Sequence, residues 1–250
     1  MRSPFPRRRR AARGILGAFA HRRAPRASGT RRKSSMPLDL GLAELLVRVA
    51  ALVIGLTVHE FAHAWTAFRL GDLTAYLQGR LTLDPRRHID PFGALMMMVA
   101  GFGWARPVPI DPGRLGRRGV VQVSLAGPLS NLVLAFAAVS IIRVTALGSV
   151  SPYAAGLTGG VYRFVEGFAW INIVLAVFNM LPIPPLDGWK VLLGVVPDRT
   201  GWRLRQYEPY GVLALLLVVF LGGPVLQRLF SGVGMLFVDL VGTLWRTVGL

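Results

Sequence analysis

Cysteine is absent from this 250-residue chain, which excludes disulfides and thiolate metal sites. Any metal must then be held by His, Asp or Glu. Charge is scarce as well: 16% of the residues are charged, where a soluble domain carries about 25%. Acidic residues number only twelve. What fills the space is apolar: 53% of the residues are hydrophobic and the mean hydropathy is +0.50. With runs approaching twenty residues, that composition points to the membrane class.

The net charge of +17 suggests a nucleic-acid partner until its distribution is examined. Residues 1–35 hold twelve Lys or Arg and no acid, leaving seventeen basic against twelve acidic side chains elsewhere, a net +5. The excess belongs to a tail and not to a fold, so no nucleic-acid partner is expected. High charge with low hydrophobicity predicts that residues 1–36 are a disordered basic tail. Three readings of it stand open. It is an Arg-rich transit segment, a basic arm held at an anionic membrane surface, or sequence upstream of a true start at Met36. Residues 37–250 are expected to form one membrane-embedded domain.

Leu40 to Leu70 is nearly all apolar, and at ~1.5 Å per residue it is long enough to cross a hydrocarbon core of ~30 Å. Further spans are expected over Val120–Leu147 and Val161–Leu181. A segment from Tyr210 to Phe230 is broken at Gly222-Gly223-Pro224, and Val233–Leu250 is either a last span or an interfacial helix. Phe92–Trp104, about thirteen residues, suits a re-entrant helix better than a span. Gly103–Ile110 carries Pro107 and Pro109, which forbid a helix interior, and is read as extended chain. The expected fold is an all-α polytopic membrane protein with about four to six transmembrane or re-entrant helices and a short extended or β segment near the active site. The loops Arg80–Arg87, Arg114–Arg118 and Lys190–Arg205 are basic, whereas Gly148–Gly160 has no Lys or Arg. If Phe92–Trp104 does not cross, those three loops share the cytosolic face, and the amino terminus then lies outside with its twelve positive charges on the wrong side, a conflict with the positive-inside rule that a start at Met36 removes.

His59-Glu60-Phe61-Ala62-His63 has the spacing H-E-x-x-H. On a helix, positions i and i+4 share a face, so both imidazoles can reach one metal, with Glu60 beside them to accept a proton. An ionised side chain at the centre of a membrane helix costs about 2.5–3.5 kcal/mol on insertion scales, so three polar groups there need a shared reason. A catalytic zinc has three protein ligands and one open position. His21 and His88 are the only other histidines, so a carboxylate is the expected third ligand, and Asp187, after Pro182, Pro184 and Pro185, is the candidate. The alternative makes Asp187 the cap of a helix starting at Trp189.

Three motifs in order, Thr57-Val58-His59-Glu60-Phe61-Ala62-His63-Ala64, Gly127-Pro128-Leu129-Ser130-Asn131 and Asn179-Met180-Leu181-Pro182-Ile183-Pro184-Pro185-Leu186-Asp187-Gly188, resemble those of the site-2 proteases, intramembrane zinc metalloproteases. Gly79-Arg80-Leu81-Thr82-Leu83-Asp84-Pro85 and the Gly103–Pro109 stretch resemble the compact prokaryotic members. The resemblance implies that His59, His63 and Asp187 bind Zn2+ and that Glu60 is the general base. It implies that Asn131 stabilises the tetrahedral intermediate or holds the substrate strand, the alternative being an interhelical hydrogen bond. His88 either binds substrate or orders its loop. The implied activity is hydrolysis of peptide bonds within or near transmembrane segments of other proteins. The implied partners are such a substrate and the lipid bilayer, with the bacterial inner membrane as location. Gly103–Ile110 is expected to pair with an extended substrate by strand addition. The rival reading is a catalytically silent zinc-binding homologue acting as a membrane chaperone or regulator.

Overall fold

A computed structural model describes residues 42–90, 93, 105–145, 149–150 and 156–249. The basic tail and most of the apolar stretch Phe92–Trp104 lie outside the described residues. The first helix, α1 (Leu42–Arg69), ends where Gly71 takes a left-handed φ of 91°. The Asp72 N–H then reaches back to the Ala67 carbonyl at 2.9 Å, a Schellman closure that only glycine enters without strain. Asp72 is fully buried and acts as a staple. Its Oδ1 accepts from the backbone and hydroxyl of Thr74, starting α2 (Thr74–Leu77), and its Oδ2 accepts from the Asp111 N–H at 2.7 Å.

Asp111 caps α3 (Pro112–Val144) by accepting from Gly113 N–H, and Pro112 at the first helical position gives up an N–H that would have no partner there. Gly116, at φ 61°, breaks this helix one turn in. The span therefore starts earlier than the expected Val120. The reason is Arg117, which pairs with Asp198 and donates to the Val196 carbonyl and, at 3.3 Å, to those of Leu193 and Gly194. Those carbonyls close α5 (Asp187–Val195), where no further turn supplies donors. Between α3 and α5 runs α4 (Gly156–Asn179), and α6 (Asp198–Arg205), α7 (Gly211–Leu221) and α8 (Gly223–Thr247) complete the order.

The carboxyl-terminal region departs from the expectation. Gly222-Gly223-Pro224 does interrupt the apolar run, but a single helix restarts there and continues to Thr247. Proline in the first turn costs no hydrogen bond, so the same residue that ends one helix can begin the next. Among the described residues, four helices are long and apolar enough to cross a membrane, within α1, α3, α4 and α8. The pair Asp198–Arg205 and Glu208–Leu221, bent by 45°, adds a fifth if taken as one broken span. The chain is an integral, multi-pass, all-α membrane protein. Among the described residues the extended segment forms no strand, only an antiparallel bridge between Ile89 and Ala105.

Helices α3, α4 and α8 close around Ala138, Val139, Ile142, Tyr162, Ala169, Val238 and Val241. Small residues let the backbones approach: a Cβ on Gly234 would sit 2.5 Å from the Trp170 ring. Asp72 bonding to Asp111, and Arg117 to the end of α5, gather the three basic loops at one end of the bundle. Helix α1 packs against α3 and α4, and α3 against α5. The candidate site lies between them.

Candidate metal centre and active site

One turn of α1 separates His59 from His63, and their rings meet edge to face with centroids 4.6 Å apart. The Nε2 atoms are 3.0 Å apart, and Asp187 Oδ2 lies 3.1 Å from the first and 3.0 Å from the second. All three residues are buried. Their three donor atoms, two nitrogens and an oxygen, form a grouping able to hold a metal ion. A tetrahedral zinc with bonds of ~2.05 Å has ligand atoms ~3.3 Å apart, so this triangle needs only a few tenths of an ångström of expansion.

The hydrogen-bond partners decide which nitrogens carry protons. His63 Nδ1 lies 2.7 Å from the Val123 carbonyl, so it must be the donor. His59 Nδ1 lies 2.6 Å from Asn131 Oδ1. The Asn131 amide is oriented by its nitrogen, which donates to the Gly55 carbonyl at 3.1 Å and to Asn172 Oδ1 at 2.9 Å. Asn172 is oriented in turn by donating to the Phe168 carbonyl at 2.8 Å. Both histidines are thus protonated on Nδ1, and in their neutral forms both Nε2 atoms are bare. Two nitrogen lone pairs and a carboxylate oxygen then converge in a buried space. A proton could satisfy only one of those contacts; a cation satisfies all three, and the donor set fits zinc.

Helix α3 is shaped for this. Pro128 has no N–H to give the Ser124 carbonyl, and one residue earlier the Val123 carbonyl receives His63. Gly127 lies directly over the imidazoles, where a Cβ would stand 2.5 Å from His63 Nε2 and 2.6 Å from His59 Nε2. Asp187 is delivered by the turn between α4 and α5. Here Gly188 is obligatory, because a Cβ would overlap the Met180 carbonyl oxygen. Asp187 is the first residue of α5 and not its cap, a position held by Leu186. Its second oxygen, Oδ1, accepts from Lys190 Nζ at 3.1 Å.

Glu60 is buried beside the triad, and its Oε2 accepts from the Val108 N–H at 3.1 Å. The extended segment therefore lies against the carboxylate. Its Arg106 N–H is also taken, by the His88 carbonyl at 2.7 Å, while Pro107 and Pro109 have no N–H. Strand addition along it requires Val108 to leave Glu60. His88 is buried and its Nε2 donates to the Thr82 carbonyl at 2.7 Å, which ties the loop together.

Asn131 is fully enclosed and engaged on both sides of its amide, so here it orients His59. Asn172 and Gly55 lie in none of the three motifs, and Gly127 enters only as the first residue of Gly127-Pro128-Leu129-Ser130-Asn131. For Asn172 a signal existed, an amide inside the apolar run Val161–Leu181, since such groups seek a partner. Replacing Asn131 by Ala is expected to weaken zinc binding about 10–100-fold, the usual cost of losing a partner behind a metal ligand. Zinc titration against a competing chelator reads this directly, and Asn131→Asp, which keeps an acceptor for His59 Nδ1, is expected to recover part of it.

Residues 140–222 match the model for peptidase family M50. The chain is 43% identical over 187 residues to the Bacillus subtilis protein named "putative zinc metalloprotease YwhC", covering 73% of this chain and 85% of that one. It is 35% identical over 204 residues to the Mycobacterium tuberculosis protein named "putative zinc metalloprotease Rip2", covering 79% and 75% respectively. A Methanocaldococcus jannaschii protein of similar name, MJ0611, is 30% identical over 159 residues, covering 62% of this chain and 73% of its own. No solved structure matches the chain.

Proposed function

The chain belongs to peptidase family M50, the site-2 proteases, and on that premise we propose that it is a zinc endopeptidase hydrolysing peptide bonds within or near transmembrane segments of other membrane proteins. The observation that carries the reading is the convergence of His59, His63 and Asp187 beside a buried carboxylate, Glu60, with both histidines and Glu60 on a helix long and apolar enough to cross a membrane. A purely structural metal site has no use for a second, unligated carboxylate next to it.

His59, His63 and Asp187 would hold the metal, with Asn131 and the Val123 carbonyl fixing the rings and Lys190 the carboxylate. Zinc, when bound there, acidifies water and polarises a carbonyl. Glu60 takes the proton of the attacking water on its carboxylate and returns it to the leaving amide nitrogen. His59 lies ten residues from Arg69, so at ~1.5 Å per residue the site is ~15 Å inside the end of α1. A substrate helix hides its carbonyls in internal hydrogen bonds and has to unwind before one can be attacked.

The proposed partner is therefore the transmembrane segment of another protein, and the proposed location is the bacterial inner membrane. Support for the location comes from the apolar spans and from the basic loops gathered at one end, as the positive-inside rule expects of a cytosolic face.

The test uses purified protein in proteoliposomes with a panel of single-span reporter polypeptides, the products mapped by mass spectrometry. The expected result is cleavage inside the apolar segment, abolished by a zinc chelator and restored by zinc. Cleavage confined to soluble loops would overturn the intramembrane part of the proposal, and chelator-resistant cleavage would overturn the metal part.

A further inference from the structure

The segment Gly79–Pro85 plays no part in the chemistry above, yet its geometry is specific. Gly79, at φ 65°, closes α2, and the Arg80 N–H returns to the Ala75 carbonyl at 2.9 Å. This second Schellman closure turns the Arg80 side chain inward. Arg80 is only 6% exposed, and one donor, Nη2, reaches the Arg106 carbonyl at 2.5 Å. Its Nε is buried without any hydrogen-bond partner. A buried, charged donor left unfilled is costly, and native structures rarely keep one without reason.

A cavity lies beside this arginine. About 570 Å³ in volume, it is lined by Gln78, Arg80, Asp84, Arg86, Arg87 and Arg106. Four guanidinium groups face one carboxylate, and Asp84 is committed to Arg86, accepting from its backbone at 3.0 Å and its Nε at 3.1 Å. The lining therefore carries a net charge of +3. Burial and the neighbouring Arg106 both push the Arg80 pKa down, against the pull of Glu60. An anion in the cavity would relieve that repulsion.

We propose that this arginine-lined cavity binds the phosphate group of an anionic phospholipid. Planar guanidinium forks match the oxygens of a phosphate, and several can share one. A single carboxylate, with two oxygens and one charge, would leave more of the lining unmatched. The cavity lies in the loop that follows the membrane end of α1, on the basic face, where headgroup phosphates of the bilayer are met. Binding there bears on the active site. Arg106 is two residues from Val108, about 7 Å along extended chain at ~3.3 Å per residue, and the Val108 N–H holds Glu60. A phosphate bridging Arg80 and Arg106 would anchor that segment at the membrane surface.

The inference does not rest on proteolysis, and its test reads binding alone. Detergent-purified, delipidated full-length protein is titrated with short-chain phosphatidylglycerol, phosphatidylcholine or inorganic phosphate and followed by native mass spectrometry. The expected result is one saturable phosphatidylglycerol per chain, weakened about tenfold or more by Arg106→Gln combined with Arg87→Gln, with zinc content unchanged. These two arginines are exposed, so their replacement does not threaten the fold as Arg80→Gln would. Arg199→Gln, an exposed change on α6, is the control and leaves binding intact. Equal binding of phosphatidylcholine, or phosphatidylglycerol binding that the double variant leaves unchanged, would overturn the proposal. Inorganic phosphate binding as tightly as the lipid would overturn the lipid source and identify a soluble phosphate ligand instead.

Discussion

A Glu60→Gln variant is expected to retain about one zinc per chain, as the three-ligand site implies, while its cleavage rate falls about 10²- to 10⁴-fold, the range that a positioned general base supplies. The substitution isolates the proton. Glutamine has the length of glutamate, and its amide oxygen can still accept from the Val108 N–H that meets Glu60 Oε2 at 3.1 Å, so the extended segment keeps its anchor. The side chain is not one of the three converging donors, so His59, His63 and Asp187 remain as they are. What glutamine cannot do is take a proton from water and pass it on. Zinc measured by elemental analysis and cleavage measured on the same preparation separate the two effects. Unchanged zinc with unchanged biological activity in cells would favour the silent homologue, because a chaperone or regulator needs no base. Loss of zinc in Glu60→Gln would mean that the carboxylate supports the metal and that its part in proton transfer is misassigned.

The parts of this architecture that follow local rules were legible in the sequence, and the parts that depend on distant contacts were not. H-E-x-x-H could be read because i and i+4 share a helix face whatever the rest of the chain does. Asp187 lies 124 residues beyond His63, and spacing alone left it between ligand and helix cap. The contact that decides its position is the overlap-free approach of Gly188 to the Met180 carbonyl, which only the folded α4–α5 turn displays. Asn131 was noticed as an intramembrane amide, but its three partners come from α1 and α4, so its orientation toward His59 could not be foreseen. Asn172 went unassigned for the same reason, although an amide among apolar residues on a membrane helix is itself a signal. The Gly222-Gly223-Pro224 break was seen, but its consequence was not. Proline punctuates equally well before a helix and after one, and the packing of α8 on α3 and α4 selects the first.

Glycine at 127 is where these contacts are tightest, and Gly127→Ala is expected to remove zinc and cleavage together while leaving the helical fold intact. The added methyl would stand 2.5 Å from His63 Nε2 and 2.6 Å from both Cε1 and Nε2 of His59, so something has to move. The imidazoles cannot retreat without breaking the 2.6 Å contact of His59 with Asn131 and the 2.7 Å contact of His63 with the Val123 carbonyl. Helix α3 cannot retreat without unpacking from α1 and α4, and Pro128 already stiffens the turn. Either movement displaces the ligand atoms from a geometry whose tolerance is a few tenths of an ångström. The expected loss in zinc affinity is at least the 10–100-fold that follows disruption of a supporting partner. Gly167→Ala on α4 provides the contrast, because no atom lies within 4 Å of the added carbon and alanine is the better helix former. It should leave zinc, cleavage and circular dichroism unchanged. Normal zinc binding by Gly127→Ala would mean that α1 and α3 can separate enough to admit the methyl group.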